Sequence, residues 1–294
     1  MTARVWMLLF SLSFIWGGTF FLTEILLEEM RPFQIVFHRV SIAAVTMMGV
    51  LALMGKRLPR DRQSWMALGV MGLLNNAIPF SAIVFGQQYI TGGLASILNS
   101  TTAFFGVMLS GLLLSDERIT AAKFTGVVMG VVGVSIVMGV ENLMHLSLSS
   151  IGQLLIILAS VSYALASIWG KLQVKTMGVE VTATGMLISS SVWMLILATA
   201  IEGVPIAALS MKSSVSIFTM AVICTSMAYL LYFRILALAG AGNLMLVTII
   251  IPPFTLVLNA FALGEMVSAQ EVLGFGVIAL GLLIISGKIP LLKG

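Results

Sequence analysis

The chain carries few of the residues that enzymes use for acid–base, nucleophilic or metal chemistry. It has two histidines, His38 and His145, and one cysteine, Cys224, among 294 residues. Its two aspartates, Asp61 and Asp116, fall in polar loops and not side by side in the bilayer, as an intramembrane aspartyl protease would need. The His-Glu-x-x-His pattern of zinc proteases is missing from the sequence, and a serine protease would need His38 as its base. We therefore predict no enzymatic activity, no metal site and no cofactor.

Two charged residues, Glu24 and Arg39, fall inside long apolar stretches. A charge within a spanning helix is costly and usually faces the protein interior or a cavity. Helical spacing places Glu24 on the same face as Trp16 and Phe20, where it could take up a proton or pair with an ammonium group. Alternatively, Glu24 lies near the membrane surface, solvated or paired with Arg39, and we favour this second interpretation. Arg39 could likewise extend to the membrane surface. Both remain candidate coupling or gating charges.

A proline beside two amides interrupts the third apolar stretch. Pro79 removes one backbone hydrogen bond and frees a carbonyl, and Asn75 and Asn76 lie about one turn before it. A broken helix next to amides suits the binding of a polar solute. The same residues could equally form a helix–helix hydrogen bond at a harmless kink. In the fourth stretch, Asn99 is the polar residue best suited to a cavity, whereas the small residues on its face favour close packing.

Aromatic side chains complete the candidate binding residues. Tyr163 and Tyr229 fall deep within apolar stretches, and Trp16 and Trp169 each precede a glycine in the first helix of a sequence half. An aromatic ring buries a large apolar area and, in Tyr and Trp, offers one polar tip. These four residues could therefore line an amphipathic pocket. The alternative is an aromatic belt at the membrane surface.

Membrane-spanning helices must position these residues. The sequence is 60% hydrophobic and only 9% charged, with a mean hydropathy of +1.13, whereas a soluble domain is about 25% charged. This composition excludes a soluble enzyme, a disordered chain and a nucleic-acid-binding domain. A spanning helix needs about 20 apolar residues, so we predict an all-α polytopic membrane protein with the lipid bilayer and a small-molecule solute as partners. The ten predicted transmembrane helices are 5–27, 32–54, 65–87, 92–114, 121–140, 151–173, 181–201, 214–237, 241–263 and 269–287.

The basic residues predict the orientation. If the N-terminus is cytoplasmic, 12 of the 15 lysines and arginines fall on the cytoplasmic side, as the positive-inside rule requires. Both termini are then cytoplasmic. The 12 residues are Arg4, Lys56, Arg57, Arg60, Arg62, Arg118, Lys123, Lys171, Lys175, Arg234, Lys288 and Lys293, and the other three are Arg31, Arg39 and Lys212.

The sequence repeats itself at an offset of 148 residues, which aligns 92–139 with 240–287. The matched pairs are Gly92 and Gly240, Leu98 and Leu246, Glu117 and Glu265, Gly126 and Gly274, Gly133 and Gly281, and Gly139 and Gly287. We divide the chain into a first repeat, 1–140, and a second, 150–288, each with five spans. Because five is odd, the second repeat enters the membrane from the opposite side, which predicts the inverted repeat typical of secondary transporters. The matched glycines in the fifth and tenth helices are predicted to serve packing.

The whole pattern resembles the drug/metabolite transporter superfamily, and within it the EamA group. The resemblance rests on ten spans in two five-helix repeats, together with Trp16-Gly17, Arg39 shortly after Pro32, and the paired Glu117 and Glu265. It implies export of small metabolites, often amino acids, from the bacterial cytoplasm across the inner membrane. We expect alternating access by a monomer. No arginine in the second repeat corresponds to Arg39, so the resemblance does not imply a symmetric role for that residue.

Three other functions are weighed against this one. A carrier of nucleotide sugars or phosphorylated metabolites should have several buried cations, and only Arg39 and Lys171 qualify. A drug/proton antiporter of the same architecture should hold a carboxylate near the membrane midplane, and only Glu24 competes for that role. A non-transport protein, lipid-modifying or structural, should show a catalytic cluster or a large soluble domain, and the sequence has neither.

The charge distribution gives a direct test of orientation. A cysteine that replaces Lys56 should resist an impermeant thiol reagent in intact cells, because this loop is predicted to be cytoplasmic. A cysteine that replaces Lys212 should react, with the unsubstituted chain as the baseline. Labelling at position 56 would contradict both the orientation and the inverted arrangement that follows from it.

Overall fold

A computed structural model describes residues 2–114, 119–139, 147–174, 177–204, 209–244 and 246–289, with the backbone alone at 241 and 242. Over these ranges the secondary structure is helical, without strands. Predictions that involve Asp116, Glu117, Arg118, His145, Lys175 or Lys293 concern residues outside this set.

Eight helices are long and apolar enough to cross a membrane in the described part of the chain. Two shorter apolar helices of 17 residues follow them. The helices are α1 Ala3–Leu27, α2 Pro32–Leu53, α3 Arg62–Gly86, α4 Gly92–Leu113, α5 Ala121–Met138, α6 Leu148–Val174, α7 Val179–Ile201, α8 Met211–Ala239, α9 Val247–Leu263 and α10 Ala269–Ile285.

The prediction of one continuous helix over 241–263 is wrong. A single helical turn, Ala241–Leu244, comes first, and α9 begins only at Val247. Pro252 and Pro253 lie inside α9 and lack the N–H groups that would bond the carbonyls four residues earlier. The first turns of α9 are therefore weakly held, which disfavours its extension toward α8.

Local sequence explains where most helices begin and end. Seven of them start after a Ser, Thr or Asp whose side chain accepts a hydrogen bond from a backbone N–H in the first turn. Asp61 precedes α3 in this way, and the hydrogen bond from the backbone N–H of Ser64 lowers the pKa of its carboxyl group. The ends of α5 and α8 lie at Gly139 and Gly240, whose φ values are +79° and +75°, a conformation that glycine adopts without strain. The seven capping residues are Thr2, Asp61, Thr91, Thr120, Ser147, Ser210 and Ser268.

Two large hydrophobic cores hold the described part of the bundle together. One joins residues of α1, α3, α4, α5, α6, α8, α9 and α10, and the other joins residues mainly of α2, α3, α7 and α8. Tyr163 packs against both cores, which places it at the centre of the molecule. The main helix pairs are α1 with α8 and α9, α6 with α3 and α4, α7 with α2 and α3, α2 with α8, and α5 with α10.

Helices α5 and α10 meet through reciprocal glycines. A Cβ atom on Gly133 would lie 2.9 Å from the carbonyl oxygen of Gly274, and a Cβ on Gly274 would lie 2.9 Å from the carbonyl oxygen of Gly133. The second pair is Gly126 with Gly281, where the same distances are 2.7 and 2.8 Å. Only glycine permits this backbone approach, so the predicted packing role is confirmed.

The contact predicts a position-specific loss of stability in α10. Gly274→Ala should destabilise the protein by about 1–3 kcal/mol, because the added methyl group forces two backbones apart. Gly276→Ala is the matched control, since a Cβ there would meet no atom within 4 Å. Thermal unfolding of the purified proteins in detergent measures the difference. Equal stability of the two variants would contradict the packing described here.

Candidate functional site

Widened helical turns position the polar residues inside the bundle. Helix α3 contains a π-helical segment at Leu73–Ala77, and α8 contains one at Val222–Met227. The ring of Pro79 would clash with the carbonyl four residues earlier in a regular helix, and the wider turn lies directly before it. Asn75 and Asn76 lie within that turn. Such segments occur frequently at functional sites.

An amide–phenol cluster, made of Asn75, Asn76, Ser190 and Tyr229, joins α3, α7 and α8 deep in the bundle. The Tyr229 hydroxyl donates to Asn76 Oδ1 at 2.8 Å and accepts from Asn75 Nδ2 at 3.1 Å. Asn76 Nδ2 donates to Ser190 Oγ at 2.9 Å. Asn76 is fully buried, but Asn75 and Tyr229 are only half-buried, so both retain surface that a solute could contact.

Arg39 extends from α2 into the bundle next to this cluster. Its Nε donates to Thr225 Oγ1 at 3.0 Å, and its Cζ lies 3.7 Å from the ring centroid of Phe80. Thr225 precedes Tyr229 by about one helical turn of α8, and Tyr229 packs against the core that contains Phe80. Arg39 is only 6% exposed, and no other charged residue of the described ranges is buried to this extent. It does not extend to the membrane surface, which corrects that alternative.

Three of the predicted binding residues lie apart from the amide–phenol cluster. The Trp169 indole donates to the carbonyl oxygen of Ala67 at 3.0 Å and so ties α6 to the first half of α3. Trp16 packs against Tyr232, with 5.8 Å between ring centroids. Asn99 lies where α4 is interrupted, between Gly92–Asn99 and Thr102–Leu113.

Asn99 is the predicted residue with an unsatisfied polar atom. Its Oδ1 is buried and has no hydrogen-bond partner in the described part of the chain. The backbone carbonyl of Asn99, in contrast, accepts from Thr102 Oγ1 at 2.8 Å and from Ser160 Oγ at 3.5 Å. The interruption of α4 is therefore stabilised by hydroxyl groups, and the amide side chain is left able to accept a further hydrogen bond.

Glu24 lies at the end of the bundle that contains the α1–α2 turn, here called the α1–α2 end. Its Oε1 accepts from the backbone N–H of Gly92 and, at 3.2 Å, from Asn259 Nδ2. The same Asn259 nitrogen donates to Glu265 Oε2 at 2.9 Å. Glu24 is thus bound to α4 and α9, and the alternative of an ion pair with Arg39 is wrong. Arg39 lies deeper in the bundle, between Thr225 and Phe80.

Other carboxylates at the α1–α2 end bind helix starts in the same way. Glu202 accepts from the backbone N–H groups of Phe33 and Gln34, each at 3.0 Å, at the start of α2. Glu29 accepts from the backbone N–H of Ser210 at 3.0 Å, before α8. Hydrogen bonds from Ser210 lower the pKa of Glu29. Negative charge is favourable at a helix N-terminus, so these residues join distant parts of the sequence at one end of the bundle.

A cleft of about 490 Å³ opens beside these groups. Its described lining has carboxylate and neutral polar side chains without lysine or arginine. The residues include Glu24, Gln87, Gln88, Thr91, Ser149, Glu265 and Glu271. The cleft reaches the α1–α2 end and is separate from the amide–phenol cluster.

Sequence reasoning missed several residues that the structure adds to these sites. Thr225 and Ser190 are buried hydrogen-bond partners of Arg39 and Asn76. The ring of Phe80 lies against the guanidinium of Arg39. Asn259 links Glu24 with Glu265. The run Cys224-Thr225-Ser226, polar within an apolar span, was a usable signal for Thr225. No sequence signal marked Ser190 or Asn259, because their roles depend on which helices are neighbours.

Comparison with known proteins places this geometry in a family. The chain is 23% identical over 279 residues to the uncharacterized transporter YoaV of Bacillus subtilis, which covers 95% of each chain. It is 26% identical to an uncharacterized transporter of Archaeoglobus fulgidus, covering 97% of this chain and 99% of that one. The uncharacterized inner membrane transporter YedA of Escherichia coli K12 is 25% identical, covering 95% of this chain and 89% of its own.

A solved crystal structure shares the fold, with a TM-score of 0.70 at 15% identity over 97% of this chain and 98% of that chain. The family model for EamA-like transporters matches residues 4–139 and again residues 150–287. The double match covers nearly the whole length, with one copy in each half of the sequence. This multi-pass membrane protein therefore belongs to the EamA-like transporter family.

Proposed function

We propose that this family member is a secondary transporter that exports small metabolites, namely amino acids or related amphipathic compounds, from the bacterial cytoplasm. The observation that carries the proposal is the amide–phenol cluster with Arg39 beside it, enclosed by α2, α3, α7 and α8. A few convergent polar groups in a largely apolar surrounding are what a small-molecule site requires. We place the protein in the inner membrane as a monomer with both termini cytoplasmic, as the charge distribution predicts.

Helix pairing supports two inverted repeats, 1–140 and 150–288. The repeats pair α1 with α6 as counterparts, α2 with α7, α3 with α8, α4 with α9, and α5 with α10. When each helix is exchanged with its counterpart, the contact α1–α9 becomes α6–α4, and the contact α3–α6 becomes α8–α1. The pairs α2–α7 and α5–α10 map onto themselves. All of these pairs are in contact. Helices α9 and α10, with 17 residues each, are at the short limit of a spanning helix, so ten spans are consistent with the fold.

The contacts at the α1–α2 end support alternating access. In the proposed orientation this end faces the outside, and polar contacts close it across the two repeats. They are the Glu24–Asn259 bond, the bonds of Glu202 to α2 and of Glu29 to Ser210, and the ion pair between Lys212 and Glu28 at 2.7 Å. Export then requires these bonds to exchange with water while the repeats rock around the central site.

One observation favours a second function, proton-coupled antiport. Asn259 Nδ2 donates both to Glu24 Oε1 and to Glu265 Oε2, which places the two carboxyl groups side by side. Such a pair binds one proton more readily than two isolated carboxylates do, because two like charges at this distance repel. Glu24 does not lie near the cluster that would bind the solute, so we keep simple facilitated exchange as the first proposal.

The central site is tested by removing one hydroxyl group. Tyr229→Phe deletes the hydroxyl that bonds both asparagines, and each such bond contributes about 0.5–1.5 kcal/mol net. We expect solute affinity in proteoliposome exchange to fall by roughly 2- to 13-fold. Tyr89→Phe is the matched control, because Tyr89 is 41% exposed at the α1–α2 end. If both variants lose affinity equally, the solute does not bind at the amide–phenol cluster.

The role of Glu24 is tested by Glu24→Gln. The amide oxygen can still accept from Gly92, so exchange at equal pH on both sides should stay within about twofold of the unsubstituted chain. Loss of exchange by a normally folded variant would show that the charge is essential. A second experiment applies a pH gradient across the proteoliposome membrane. If the gradient drives accumulation through the unsubstituted chain but not through Glu24→Gln, the antiport function replaces facilitated exchange.

A further inference from the structure

Arg39 has no acidic partner among the residues that the structure describes. All eight acidic residues of the described ranges bind other groups. Glu24 binds Gly92 and Asn259, Glu28 binds Lys212, Glu29 binds Ser210, Asp61 binds Ser64, Glu180 binds Lys56, Glu202 binds Phe33 and Gln34, Glu265 binds Asn259, and Glu271 binds Ser268. A guanidinium deep in a membrane protein is expensive without a counter-charge.

Most of the hydrogen-bonding capacity of Arg39 is unused. A guanidinium has five N–H donors, and the structure gives one hydrogen bond, from Nε to Thr225. The two terminal nitrogens make no hydrogen bond to a described residue. Contact with the face of Phe80 at 3.7 Å stabilises the charge and fixes the group in place. The remaining donors form a planar fork, which matches the two oxygens of a carboxylate.

We propose that Arg39 binds the solute, and that the group it binds is a single carboxylate. The inference rests on the proposed transport function and specifies its substrate class. A phosphorylated solute would carry a second negative charge, and no second cation is buried within the described part of the chain. The ring of Phe80 lies against the guanidinium, and Phe80 belongs to the apolar core that Tyr163 and Tyr229 also contact. The rest of the solute is therefore apolar or aromatic. No carboxylate of a described residue lies beside Arg39, so an ammonium group on the solute is not required.

The test uses acids and their matched neutral derivatives. The full chain in lipid nanodiscs is titrated with 3-phenylpropionate and L-phenylalanine, then with 3-phenylpropanamide, L-phenylalaninamide and phenethylamine. We expect the two acids to bind at least about tenfold more tightly than the other three compounds, because each neutral or cationic compound leaves the guanidinium unpaired. Equal binding of acids and amides, or no binding of either acid, would overturn the proposal.

Variants separate binding from folding. Arg39→Lys keeps the charge but loses the fork, so acid binding should weaken by at least about tenfold while acids remain preferred over amides. Arg39→Gln should abolish that preference, and Arg234→Gln, at an exposed position of α8, should preserve it. A folded Arg39→Gln variant that still binds acids with unchanged Kd would contradict the proposal. If Arg39→Gln does not fold, the comparison of acids with amides on the unsubstituted chain decides alone.

A flux measurement distinguishes this inference from the proposed function. If the acids bind in an Arg39-dependent way but no compound crosses proteoliposome membranes, the binding site stands and the transport function fails. If amides or amines are carried in a Tyr229-dependent way without preference for acids, transport stands and the carboxylate inference fails.

Discussion

Inside a bilayer no water is available to polar groups, so each one must find its partner within the protein. Much of the arrangement follows from this constraint. Asn76 meets Ser190 and Tyr229, and the carbonyls freed at the interruption of α4 meet neighbouring hydroxyls. Among the groups that remain without a hydrogen-bond partner in the described part of the chain are the terminal nitrogens of Arg39 and Oδ1 of Asn99. Unsatisfied polar atoms at the centre of the bundle are where a solute gains most from binding, because its own polar groups replace partners that the protein does not supply.

The same constraint gives the two ends of the bundle different chemistry. At the α1–α2 end, Glu24, Glu29 and Glu202 accept hydrogen bonds from backbone N–H groups at or near the starts of α4, α8 and α2. These bonds use the partial positive charge of a helix N-terminus and need no lysine or arginine in return. Basic residues are therefore free to collect in the loops of the opposite end, which is cytoplasmic in the proposed orientation. The acidic cleft and the basic loops are thus two consequences of one distribution of charge.

Much of the fold could be read from the sequence, because it depends on local patterns. Long apolar stretches located the ten helices, and the glycines matched at an offset of 148 residues predicted packing faces on α5 and α10, although not that the two faces meet. The site could be read only in part. Asn75, Asn76 and Tyr229 were recognisable as polar groups in apolar surroundings, but their mutual bonds depend on the packing of α3 against α7 and α8. The partner of Glu24 was misjudged for a similar reason. Its partner Asn259 is 235 residues away, and no periodicity in either helix relates the two.

Packing distinguishes two kinds of contact between the halves, and the difference bears on the proposed transport cycle. The glycine contact between α5 and α10 joins the halves through backbone atoms at 2.7 to 2.9 Å from the positions of the missing Cβ atoms, and such close packing leaves little room for the two helices to slide. The contacts at the α1–α2 end are different, because carboxylate-to-amide bonds near solvent can exchange for bonds to water at little net cost. In the proposed cycle the α5–α10 seam therefore stays intact and acts as the pivot. The polar contacts of α1, α4 and α9 break and re-form, and α2, α3, α7 and α8 carry the solute site between the two openings.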